Sequence, residues 1–250
     1  MTRYGIHLGV INTAPTRALA AVKAAGFHSV LLHLDGKYPN TQLAADIAAA
    51  GLEIENVHAP WDGINEMWLP GDAGDARCAA YLAHMERCAE IGVRRIVYHV
   101  SHSINYPPIT EVGVDRFSRL TEAAERLGID LCLENQRYFH FIDYLFYAID
   151  SDRLRFCFDS GHEACFSQTK VALAKYRPRL SALHLHDNDG AYQHDEHLLP
   201  GQSHGVDWEY VRHYLADYDG TISLETKYIQ GMPPEEYYAL AIKAAHFVKK

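Results

Sequence analysis

Cysteine is scarce. There are five in 250 residues, and none of Cys78, Cys88, Cys132, Cys157 and Cys165 belongs to a CxxC pair. That spacing excludes a disulfide-stapled fold and a zinc ribbon, and fits small buried thiols in a reducing compartment. No apolar run approaches the ~18 residues of a membrane helix, and the stretch Met1–Leu8 lacks the apolar core of a signal peptide. A soluble cytoplasmic protein with no membrane partner is expected. Positive charge is short as well, with 23 Lys and Arg against 32 Asp and Glu and a net charge of -9. Such a chain repels phosphate backbones as a whole, which disfavours nucleic acid as a partner. The first strand leads into Val10-Ile-Asn-Thr-Ala-Pro, with no glycine-rich phosphate turn, so an open dinucleotide-binding sheet is not expected. No linker, low-complexity tract or repeat divides the chain, and residues 1–250 read as one domain, alone or as a homo-oligomer.

Histidine is in excess, with 16 residues. It is the commonest metal ligand and general base, so the positions of these histidines matter. Short β-branched runs alternate with helical patterns along the whole chain. Strands are expected at 4–10, 29–34, 52–58, 95–100, 130–134, 154–159, 180–186 and 221–225. Helices are expected at 16–25, 41–50, 75–91, 112–127, 141–149, 168–176, 207–216 and 234–248. Gly26, Gly51, Gly92 and Gly128 close four of the helices. Eight βα units with short connections imply a parallel sheet closed into a (β/α)8 TIM barrel, an α/β fold that usually takes about 250 residues.

Active sites of such barrels lie at the carboxyl ends of the strands. Six consecutive strand ends offer a histidine or a carboxylate: His58, His99, Glu134, Asp159, His184 with His186, and Glu225. A lone His58 or His99 would read as a satisfied buried histidine, and a lone Asp159 as a helix cap. The set resists that reading, because each apolar strand that ends on a carboxylate must pair the charge or meet a cost of several kcal/mol. Too few basic residues lie nearby to pair Glu134, Asp159 and Glu225, whereas a divalent cation could neutralise all three. Glu134, Asp159, His184 and Glu225 form a mixed oxygen and nitrogen donor set suited to zinc or manganese, with cobalt, iron and magnesium as alternatives. Asp195 and His197, two apart in the segment after strand seven, point the same way if that segment is extended. Trp61 offers a ring face to a substrate, and Arg137 and Lys227 could meet a carboxylate or phosphate on it.

The motifs Val57-His-Ala-Pro, Leu133-Glu-Asn, Phe158-Asp-Ser-Gly-His, His184-Leu-His-Asp-Asn, Asp195-Glu-His-Leu-Leu-Pro-Gly and Leu224-Glu resemble the xylose isomerase-like barrel superfamily. That group contains sugar phosphate isomerases and epimerases and also endonuclease IV. The epimerase side of the resemblance implies one metal on Glu134, Asp159, His184 and Glu225. Glu134 and Glu225 would then move a proton through an enediolate of a small carbohydrate, with His162 contacting the substrate and His186 either contacting it or supporting a metal ligand. The endonuclease IV side implies up to three zinc ions, with His58, His99, His162, Asp195 and His197 as further ligands, and phosphodiester hydrolysis. A barrel that binds metal or sugar without catalysis is the third expectation.

Overall fold

The computed structural model describes residues 2–9, 15–33, 41–167 and 169–250. The alternating pattern folds as β1 (Arg3–His7), α1 (Pro15–Ala25), β2 (Ser29–His33), α2 (Thr41–Ala49), β3 (Glu53–His58) and α3 (Asp72–Glu90). It continues through β4 (Arg95–Tyr98), α4 (Glu111–Leu127), β5 (Asp130–Glu134), α5 (His140–Ala148), β6 (Leu154–Asp159), α6 (Ser160–Cys165) and α7 (Ala172–Tyr176). It ends with β7 (Leu180–His184), α8 (Trp208–Tyr214), β8 (Thr221–Leu224) and α9 (Pro234–Val248). The strands run parallel in chain order, and β8 pairs back onto β1. Between β7 and β8 the barrel is joined at its carboxyl end, where the Leu185 N–H donates to the Ser223 carbonyl at 3.0 Å and the Glu225 N–H to the Leu185 carbonyl at 3.1 Å. The result is a TIM barrel.

Side chains alternate across the strands, so the barrel has an inner and an outer core. The outer core lies between strands and helices. The inner one contains a layer of small residues, Val97, Cys132, Cys157 and Ala182, from β4 to β7. Toward the amino ends of the strands, Arg95 donates to Glu55 at 3.1 Å and to Ser181 at 3.0 Å, and the Ser181 hydroxyl donates to Asp130 at 2.7 Å. This polar plug closes the bottom of the barrel. The layer above it seals the plug off from the carboxyl end, where the site lies.

Gly128 shows why a glycine closes a helix. It follows α4 with φ of 69°, a left-handed conformation that lets its N–H reach the Ala124 and Glu125 carbonyls. The β3–α3 connection carries Trp61 and is tied down by one residue of α4. The buried Arg116 guanidinium donates to the carbonyls of Glu66, Met67, Leu69 and Gly71 and to the Asp75 carboxylate. Tyr81 holds the Pro60 carbonyl at 2.7 Å, one residue before Trp61.

The structure moves several expected boundaries. The helix expected at 168–176 begins at Ala172, and a separate short helix, α6, follows β6 without a loop. The cause is Asp159, whose side chain leaves the strand end and caps the new helix by accepting the His162 N–H at 2.6 Å. Helix α3 starts at Asp72 rather than 75, and a 3-10 turn at Ile64–Trp68 precedes it. The expected ends of the first two strands and the residue expected to open the helix at 168 fall outside the described residues.

Candidate metal centre

The carboxyl end of each strand delivers its last inward side chain to one buried cluster. Glu134 from β5, Asp159 from β6, His184 from β7 and Glu225, just past β8, are 0–3 % exposed, and one donor atom of each lies within 4.8 Å of the others. His184 Nδ1 is the hub, 2.5 Å from Glu134 Oε1 and 3.4 Å from Glu225 Oε1. The opposite ring nitrogen, Nε2, donates to Asn56 Oδ1 at 3.2 Å. That bond holds the Nε2 proton and turns Nδ1 toward the two glutamates, so a metal that displaced the Nδ1 proton would find the ligating nitrogen already aimed. Two more histidines follow the same plan. His58 Nδ1 donates to the Ala59 carbonyl at 2.7 Å and turns Nε2 to Glu134 Oε2 at 3.4 Å. His197 Nδ1 donates to the Glu225 carbonyl at 2.8 Å and turns Nε2 to Asp195 Oδ2 at 3.2 Å.

The remaining candidates surround these. His99 Nε2 is 2.8 Å from Glu134 Oε2, so His58, His99 and Glu134 form a second group of donors. His162 Nε2 reaches Asp195 Oδ2 at 3.5 Å, and Asp195 thereby joins His162 to His197. His186 is fully buried, stacked on His197 at 4.0 Å between ring centroids, with Nε2 3.1 Å from Asp159 Oδ1. It stands beside Asp159 and His197 and is not among the residues lining the cavity over the cluster. Besides Asn56, two residues at the site were absent from the sequence reading. His33, at the end of β2, holds Glu225 Oε1 at 2.7 Å. Gln136 puts its amide nitrogen 3.3 Å from Glu134 Oε2 and 2.9 Å from His162 Nδ1. His33 could have been found by the strand-end rule that found His58; Gln136 had no signal.

Electrostatics follow from crowding four carboxylates into a buried space. Burial opposes the charge on His184, but Glu225 and Glu134 outweigh it and raise the imidazole from its ordinary 6.5 to about 9. His197 rises to about 9 as well, burial again being overcome, here by the Asp195 hydrogen bond and by Glu225. Burial likewise opposes ionisation of Glu134 and Glu225, yet the neighbouring histidines hold both well below the usual carboxylate range. His99 goes the other way, lowered to about 4 because burial outweighs its contact with Glu134. Protons on imidazoles thus supply the positive charge of the metal-free cluster. The cluster also fits a cation: Asp159 Oδ2 and Asp195 Oδ1 are shut away from solvent with no hydrogen-bond partner, which leaves carboxylate oxygens free to ligate.

A cavity of about 170 Å³ opens over the cluster, lined by His33, Trp61, His99, Gln136, His162 and Glu225 among others. Trp61 is half exposed and stacks on His99 at 5.6 Å between centroids. Arg137 lines the same cavity, with its guanidinium over the Phe166 ring. Lys227 lies in the next cavity along, of about 530 Å³, and donates to the Asp195 carbonyl at 3.0 Å. Glu134 does not line the cavity and sits below Gln136. Among the described residues, no helix is long and apolar enough to cross a membrane.

Similarity to known proteins agrees with the barrel. The chain is 25 % identical over 216 residues to the uncharacterized protein y4fM of Sinorhizobium fredii (strain NBRC 101917 / NGR234), a match covering 72 % of this chain and 68 % of that one. The fold superposes on D-psicose 3-epimerase of Clostridium cellulolyticum H10, described with D-tagatose, at a TM-score of 0.78 with 16 % identity and full coverage of both chains. It superposes on the IOLI protein with a binding zinc atom at 0.79, with 16 % identity, covering 99 % of this chain and 98 % of that one. A fusion of a xylose isomerase-like TIM barrel with 4-hydroxyphenylpyruvate dioxygenase gives 0.78 at 17 % identity, and there the chain, 99 % covered, spans 42 % of the longer protein. Since residues 19–248 match the family itself, the chain belongs to the xylose isomerase-like TIM barrel family.

Proposed function

We propose that the protein is a divalent-metal-dependent isomerase or epimerase of a small sugar, sugar phosphate or related polyol or keto acid, acting by proton transfer beside a carbonyl. The observation that carries this reading is the pair of glutamates, Glu134 and Glu225, facing one histidine nitrogen within a four-residue donor set. Glu134, Asp159, His184 and Glu225 would hold the ion, zinc or manganese by donor type. Once bound, the ion supplies positive charge beside the substrate oxygens where negative charge develops. Glu225, at the cavity wall, takes the proton from the carbon beside the carbonyl, and Glu134, beneath the Gln136 amide, returns one once that amide turns aside. His184, His33 and His197 keep the first a carboxylate, and His184, His162 and His58 do so for the second. His162 is placed to contact a substrate hydroxyl and Trp61 to cover a ring face. D-psicose 3-epimerase, a sugar epimerase with the same fold, supports the substrate class.

The test is deuterium uptake from heavy water at the carbon next to the carbonyl of ketose substrates. Glu134→Gln and Glu225→Gln should each lower exchange by about 10²-fold or more; intact exchange in both would sink the assignment. A second reading, a polynuclear zinc phosphodiesterase, is supported by the further donors around Glu134 and Asp195 and opposed by the acidic chain. Cleavage of abasic DNA together with two or three zinc ions per chain would favour it over the isomerase.

A further inference from the structure

We infer that Arg137 recognises an anionic group, a carboxylate or a phosphate, carried by the substrate away from its reacting carbons. The isomerase reading enters only in saying which end of the substrate lies over the metal centre. Arg3, Arg17, Arg95, Arg116, Arg153 and Arg177 each hold a carboxylate. Among the described residues Arg137 has neither an ion pair nor a hydrogen bond, although the chain carries a net charge of -9, and its Nε is shut away from solvent with no acceptor. The guanidinium lies 3.8 Å over the centroid of the Phe166 ring. Stacking fixes the plane of the group and leaves its N–H edges available, which is the form that grips a carboxylate or phosphate with two parallel hydrogen bonds.

Position gives the cation its role. The cavity over the metal centre holds only about 170 Å³, below the ~300 Å³ at which ligand sites usually begin. A substrate therefore extends past it. Arg137 and Phe166 line this cavity and also a second one of about 580 Å³, walled by Tyr138, His140, Ser167 and Tyr192. They form the partition that an extended substrate crosses. The cavity on the opposite side offers Lys227, whose ammonium is exposed and already donates to the Asp195 carbonyl. Among the described residues, only the Arg137 side presents a cation without a partner.

Three probes that differ solely at carbon 6 test the assignment: D-fructose, D-fructose 6-phosphate and D-fructuronate. Each is titrated calorimetrically into metal-free and metal-loaded protein, as wild type, Arg137→Lys and Arg137→Met. At least one anion should bind wild type about 10- to 100-fold more tightly than D-fructose, the strength of a charge-assisted bidentate contact. The stronger of the two identifies carboxylate or phosphate. Arg137→Met should abolish the preference, and Arg137→Lys, which keeps the charge but loses the fork, should retain part of it. Equal binding of all three probes to wild type overturns the inference. So does a preference that survives in Arg137→Met, since the metal charge alone would then explain it. If Arg137→Met does not fold, an undiminished preference in Arg137→Lys overturns it instead. Anion preference without deuterium exchange would remove the isomerase and leave Arg137 its role; exchange without preference would do the reverse.

Discussion

Asn56 is the residue whose removal most directly tests the metal centre. It is fully buried on β3, its Oδ1 accepts from His184 Nε2 at 3.2 Å, and its Nδ2 has no partner. The amide therefore makes one side-chain hydrogen bond, and that bond decides which nitrogen of His184 faces Glu134 and Glu225. Replacing Asn56 with Ala leaves a buried N–H unsatisfied, at about 1–3 kcal/mol. It also frees the ring to carry its proton on the nitrogen that must bind metal. Loss of such a supporting partner typically lowers metal affinity about 10- to 100-fold. Asn56→Asp keeps the acceptor and adds negative charge, so affinity should hold or rise. The assay is competition for zinc against a fluorescent chelator, run beside thermal melts of the metal-free forms. If Asn56→Ala melts earlier but binds zinc as wild type does, the amide is only packing and the tautomer argument fails.

Four further outcomes follow, three from the cluster and one from the loop beside it. Zinc binding at pH 7.5 should release a proton, because His184, raised to about 9, carries one in the metal-free chain; calorimetry in buffers of different ionisation enthalpy would show this, and a heat independent of buffer would refute it. The metal-free form should lose stability as pH rises through about 9, since the raised imidazoles contribute fully only below their ordinary 6.5. It should also lose stability as pH falls below the ordinary carboxylate range, where the depressed Glu134 and Glu225 take up protons. Arg116→Met strands four carbonyls that one guanidinium serves; a loss of about 3 kcal/mol would lower the melting temperature by roughly 6–12 °C in calorimetry, and a change under ~2 °C would show that the loop is held elsewhere.

How much of this was legible in the sequence depends on which interactions are local. The barrel was legible because its signals repeat along the chain: Gly26, Gly51, Gly92 and Gly128 all adopt positive φ where the helical patterns end. The carboxylates and histidines at strand ends were legible because barrel geometry converts chain position into spatial convergence. Asn56 was hidden because a bulge shifts the register of β3, with Val30 opposite Ile54 and Leu31 opposite Asn56. Glu55 and Asn56, adjacent in sequence, thereby both reach inward partners, Arg95 below and His184 above. Strict alternation would have sent one of them outward. The helix after β6 was missed because Asp159 does two jobs, strand end and cap, and a six-residue helix shows no periodicity to read.

The charge of the cluster bears on how many metal ions it would hold. Four carboxylates, from Glu134, Asp159, Asp195 and Glu225, meet within one buried network. In the metal-free chain His162, His184 and His197 are pushed toward the protonated form, burial being outweighed by these acids. One divalent ion on the proposed set Glu134, Asp159, His184 and Glu225 would displace the His184 proton, and the cationic His162 and His197 would complete neutrality. A further ion held by His162, Asp195 and His197 must displace their protons as well, because a coordinated imidazole cannot keep a proton on the ligating nitrogen. A one-ion isomerase site should therefore release about one proton per chain on loading, and a polynuclear site about three. The buffer dependence of the binding heat counts those protons without any substrate. A count near three would move the balance toward the phosphodiesterase, and a count near one would leave His162 and His197 as charged groups facing the substrate.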